Sequence, residues 1–100
     1  MLPFLLSALA APPPCFGPRF SESFAEYVPG GGAVVTIVGC GTGATQSCTG
    51  GLSVIFPGPI LHNGQQLTIA SPAVPSPGAY SCTVHTHQGG DSVIVVVVGL

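Results

Sequence analysis

The chain has 100 residues, 46% of them apolar, and a formal net charge of −2 carried by Arg19, Glu22, Glu26 and Asp91. One arginine cannot neutralise a row of phosphates, which excludes a nucleic-acid-binding footprint. The apolar content, rich in β-branched residues, excludes charge-driven disorder, and the length holds one small domain. With 15 glycines and 11 prolines and no collagen-like period, part of the chain is expected to be loop.

Residues 1 to 10 read MLPFLLSALA, apolar and closing on the small-x-small triplet Ala8-Leu9-Ala10. This is the pattern of the end of a secretory signal peptide, although no basic residue precedes it. Residues 11 to 32 follow as a proline- and glycine-rich connector. It holds three of the four charges and is expected to be a poorly ordered lead-in, with Phe20, Phe24 and Tyr27 free to pack at its end. The division is therefore a leader-like connector over 1–32 and a folded domain over 33–100.

From Ala33 the pattern becomes that of short strands. AVVTIVGC at 33–40 is a β-branched run, followed by the turn-forming GTGATQS. LSVIF at 52–56 is a second run, closed by Pro57-Gly58-Pro59. Ile60-Leu61 precedes His62-Asn63-Gly64, where Asn-Gly is a hairpin signal. QLTIA at 66–70 and AYSCTVHT at 79–86 alternate, Gly89-Gly90 marks a turn, and 92–98 is a valine run. That last run is too short for a membrane-spanning helix, which needs about 20 apolar residues, so a membrane is expected only if the natural chain continues past Leu100. Short strands at regular intervals, with no sustained helical period, predict an all-β antiparallel sandwich.

Four cysteines in so short a chain point to an oxidising compartment, where cross-links compensate for a small core. None has the spacing of a zinc ribbon or a redox motif. Three pairings are open among Cys15, Cys40, Cys48 and Cys82.

The stretch from Leu67 and Ile69 through Gly78, Tyr80 and Cys82 resembles the E-to-F region of an immunoglobulin-like domain, of an abridged I-set or C2-like kind. In that family a Leu-x-Ile strand precedes an Asp-x-Gly-x-Tyr-x-Cys stretch. A tyrosine two residues before a cysteine faces the same side of a strand, and its hydroxyl can bond the preceding corner. The resemblance covers 33–98 and departs from the family in three respects. Ser76 stands in place of the aspartate. No tryptophan follows on the strand read as C, so that Ile55 or Phe56 would cover the disulfide. The span from Pro57 to Leu67 is too short for the usual C′ and D strands. The resemblance implies a Cys40–Cys82 bond between the sheets, with Val34, Thr36 and Val38 on the inner face with Cys40, and leaves Cys15 and Cys48 as a second pair.

No lysine is present and the glutamates lie in the connector, so general acid–base chemistry has few groups to use. No nucleophile motif or phosphate-binding loop is found. No catalytic residue, cofactor or small-molecule substrate is expected. His85 and His87 share one side of a strand near Asp91, which would suit a small metal-binding protein, but they are out of phase with Tyr80, Cys82 and Val84 and read as exposed. His62 beside Asn-Gly also reads as solvent-facing, and no metal site is assigned. The resemblance implies an extracellular protein-binding, adhesion or recognition module, secreted or at the cell surface. A structural sandwich unit of a larger chain is the alternative. Because 93–98 is apolar on both faces, one set of residues (Ile94, Val96 and Val98 if Val93, Val95 and Val97 face the core) is presented outward for a protein partner or self-association, unless Phe20 and Phe24 fold over it.

Overall fold

The computed structural model describes residues 15–99, so the leader-like segment at 1–10 lies outside the described residues. Eight strands run in chain order: β1 (Arg19–Phe20), β2 (Phe24–Tyr27), β3 (Ala33–Val38), β4 (Thr45–Cys48), β5 (Ser53–Ile55), β6 (Gln66–Ala70), β7 (Gly78–Thr86) and β8 (Gly89–Val97). They form two four-stranded sheets, ordered β1-β3-β6-β5 and β2-β8-β7-β4. The fold is an all-β sandwich. Pairing is antiparallel except between β2 and β8, which run parallel.

Alternation in each strand decides what lies between the sheets. Ala33, Val35 and Ile37 of β3 and Leu67 and Ile69 of β6 point inward from one sheet. Val93, Val95 and Val97 of β8 and Cys82 and Val84 of β7 meet them from the other. Removing each such Val, Leu or Ile side chain from water contributes about 1.5–3 kcal/mol before the cost of ordering the chain. Leu61, from the segment between β5 and β6, is fully buried among them.

From Cys15 onward, the segment expected to be a loose lead-in belongs to the sandwich. β1 joins the edge of the first sheet through Arg19↔Val38 and Phe20↔Ile37, and β2 joins the edge of the second beside β8. Phe20, Ala25 and Tyr27 are core residues. Two carboxylates hold the crossing between sheets. The Phe20 backbone N–H donates to Asp91 Oδ2 at 2.9 Å, and the Thr36 N–H donates to Glu22 Oε1 at 2.9 Å. Three of the chain's few charges thus sit near this N-terminal crossing, and two of them accept backbone hydrogens from the edge strand β1 and from the part of β3 that the two-residue β1 leaves uncovered.

Two further strand expectations change. β5 pairs with β6 in the first sheet, so 52–56 is not the strand that flanks β7. That place is taken by β4, whose polar sequence TQSC lies within the span read as turn and just past it. Accordingly Ile55 is exposed on the outer face of the first sheet, away from the disulfides, while Phe56 packs partly against the core. The Asn63-Gly64 pair lies in a turn, with the Gln65 N–H donating to the His62 carbonyl, within the long connection between the paired strands β5 and β6, and is not the two-residue loop of a tight hairpin. Instead β7 and β8 form the long hairpin, from Gly78↔Val97 to Thr86↔Gly89, with His87-Gln88 at its tip.

Candidate functional site

The disulfides are Cys15–Cys40 and Cys48–Cys82, with Cα separations of 5.3 and 4.1 Å. Neither the Cys40–Cys82 bond nor the Cys15–Cys48 pair is formed. The cause is the phase of β3. Its inner set is Ala33, Val35 and Ile37, while Val34, Thr36 and Val38 face outward, so the phase that continues to Cys40 leads away from the other sheet. Cys40 instead pins Cys15, the start of the described chain, to the end of β3. Cys48 and Cys82 are direct cross-strand partners within the second sheet. Two disulfides in so small a domain are typical of proteins from oxidising, extracellular environments.

The tyrosine corner forms. The Tyr80 hydroxyl donates to the Ser76 carbonyl at 2.7 Å, and the half-buried ring packs against the core beside Cys82. Gly50, at φ +66, passes under this ring, where a Cβ would run into it. Leu67 and Ile69 are core residues of β6, and Gly78 opens β7 at φ +150, a conformation open to glycine.

His85 and His87 are both exposed, but they gain no third ligand. Asp91 is turned to the Phe20 amide, and no group of three metal-ligating side chains lies together among the described residues. His62 is exposed at its turn, its N–H donating to Gln65 Oε1. An open cleft of about 680 Å³ lies beside the Cys15–Cys40 bond, lined by Phe16, Arg19, Val38 and Asn63. The Asn63 side-chain oxygen is already taken by the Gly39 N–H, which leaves Arg19 as the one charged group there.

The outer face of the second sheet is more distinctive. β8 presents Ser92, Ile94 and Val96, with Val98 just beyond its end. The parallel register sets Phe24 beside Ile94 and Glu26 beside Val96. On the other side of β8, Ala79 lies opposite Val96 and Ser81 opposite Ile94. Phe24, Ile94, Val96 and Val98 retain 67%, 37%, 38% and 48% of their accessible surface. The inward set is therefore Val93, Val95 and Val97. Neither phenylalanine covers the outward set: Phe20 is in the core, and Phe24 extends the patch sideways. Further along, the face turns polar through a hydrogen bond between the Thr83 and Ser92 hydroxyls at 2.6 Å, with Ser47 beside Thr83 and His85 beyond.

The outer face of the first sheet differs. Its exposed Val34 and Ile55 both lie opposite Thr68, and Val38 lies opposite Arg19, so polar side chains interrupt its apolar ones. Phe24 on β2 is the part of the patch that the sequence did not show, because only the β2–β8 register brings it there. A two-sheet, disulfide-linked sandwich with an apolar patch at one end of the second sheet's outer face is what the chain builds. Comparisons with protein-family models, with curated proteins and with solved structures found no match.

Proposed function

We propose that the chain is an extracellular, non-catalytic immunoglobulin-like module that binds protein through the outer face of β2-β8-β7-β4. The strand order supports the family. With β1, β3, β6 and β5 as A, B, E and D, and β4, β7 and β8 as C, F and G, the two sheets correspond to the ABED and CFG sheets of that fold. The tyrosine corner at Tyr80 falls on the F strand, as the family requires. The family's inter-sheet bond is replaced by apolar packing of Val35 and Ile37, with the sulfur bridge moved into the C–F pair. Two disulfides support an extracellular setting.

The observation that carries the functional reading is the row Phe24, Ile94, Val96 and Val98, exposed and contiguous on a chain with very few charges. An exposed apolar patch on a small domain commonly marks an interface, and here Glu26 is its one charged neighbour. The test is binding of the immobilised full chain to a panel of extracellular proteins, itself included. Wild type and the opposite-face variant Val34→Asp should share a partner that Val96→Asp loses by tenfold or more. Binding that ignores Val96→Asp and fails in Val34→Asp overturns the assignment of the face.

A further inference from the structure

We infer that the partner of this face is a second copy of the same chain, packed face to face about a two-fold axis running beside Val96; this rests on the reading of the face as a protein-binding surface. Four strands about 4.8 Å apart and nine-residue strands rising about 3.4 Å per residue make a face roughly 19 by 30 Å at its widest. With β2 and β4 only four residues long, the face covers roughly 420 Å² in projection and more in accessible area, which suits a weak interface of under about 600 Å² per partner.

A charged partner is selected by charges opposite its own, and this face offers almost none. Glu26 is the single carboxylate on it and Arg19 lies on the other sheet. What the face offers is a β-branched and aromatic end (Phe24, Ile94, Val96) grading into hydroxyls at Thr83 and Ser92. The surface that matches an apolar patch with a single charge at its margin is another apolar one, and a two-fold interface uses one patch twice. The low charge of the whole chain also leaves little long-range repulsion between copies.

Symmetry gives the proposal a signature. Glu26 lies beside Val96 in the β2–β8 register, so an axis at Val96 brings each Glu26 toward its own image. The only charges in the interface then repel. This arrangement predicts modest self-affinity that improves when the charge is removed.

Sedimentation of the oxidised full chain reads this directly. Wild type should dimerise at tens to hundreds of micromolar. Glu26→Gln should dimerise about fivefold more tightly, as expected for relief of one exposed like-charge pair. Ile94→Asp, a change at an outward position, should be monomeric with an unchanged far-ultraviolet spectrum. Wild type mixed with Glu26→Lys should form the mixed dimer in preference to either homodimer. Monomeric wild type and Glu26→Gln at 500 micromolar overturn the inference, as does association that survives Ile94→Asp or a mixture that prefers homodimers. Should the copies stay apart while another protein still distinguishes Val96→Asp, the second-copy inference fails and the protein-binding reading stands.

Discussion

Removing the Cys48–Cys82 bond by the double substitution Cys48→Ala and Cys82→Ala separates the contributions to stability most sharply. The bond spans a sequence separation of 34 residues, for which loop-closure entropy assigns about 4 kcal/mol at 25 °C. Cys82 is also fully buried, so losing a sulfur with roughly the bulk of a methylene adds about 1 kcal/mol. The Cys15–Cys40 bond spans 25 residues and closes at the periphery, where Cys15 is exposed; its removal should cost about 3.5 kcal/mol with no core term. A domain of this size has a total stability of roughly 4–13 kcal/mol, so either loss is large. Urea unfolding followed by circular dichroism and tyrosine fluorescence measures both. The cross-check is Cys40→Ala with Cys82→Ala, which breaks both bonds and should expose two titratable thiols, Cys15 and Cys48. A variant of that kind with no free thiol would overturn the pairing, and a Cys48/Cys82 loss below about 1.5 kcal/mol would overturn the loop-closure origin of the stability.

Tyr80→Phe removes the bond to the Ser76 carbonyl and should lower stability by about 1 kcal/mol, and an unchanged melting temperature would count against the corner. Ile37→Ala should cost about 3–4 kcal/mol, because the side chain is fully buried, whereas Val38→Ala on the outer face should cost under about 1 kcal/mol. Equal costs at these neighbouring positions would mean that the phase of β3 is misassigned.

The strands legible in the sequence are those whose own side chains alternate or are strongly β-branched. β3, β6, β7 and β8 fall within a residue or a few of their expected limits, and of the two phases left open for β8 the structure takes the one with Val93, Val95 and Val97 inward. The phase of β3 is harder, because both of its sets are mostly apolar. Thr36 is the one local marker of the outer set, and Cys40 continues that set. β1 and β2 escape sequence reading for a different reason. Their residues sit among glycine and proline, and what orders them comes from far along the chain: Asp91 accepts from Phe20 across 71 positions, and β8 supplies the ladder for β2. β4 is a polar edge strand, held by its pairing with β7 and by the Cys48–Cys82 bond, neither of which local propensity reports. The candidate face inherits the same division. The valine run offers two apolar sets, of which the structure turns Ile94, Val96 and Val98 outward, and Phe24 and Glu26 enter the face only through the parallel register.

Hydroxyl-radical footprinting of the oxidised full chain at 5 and 500 micromolar tests the binding face most directly, because it reports side-chain exposure residue by residue. The reactivity of Phe24, Ile94 and Val96 should fall at the higher concentration, while Phe16, Val34 and Ile55, more open than Ile94 and Val96 in the single chain, keep theirs. Unchanged reactivity at Phe24, Ile94 and Val96, or protection that gathers at Val34 and Ile55 instead, would contradict it.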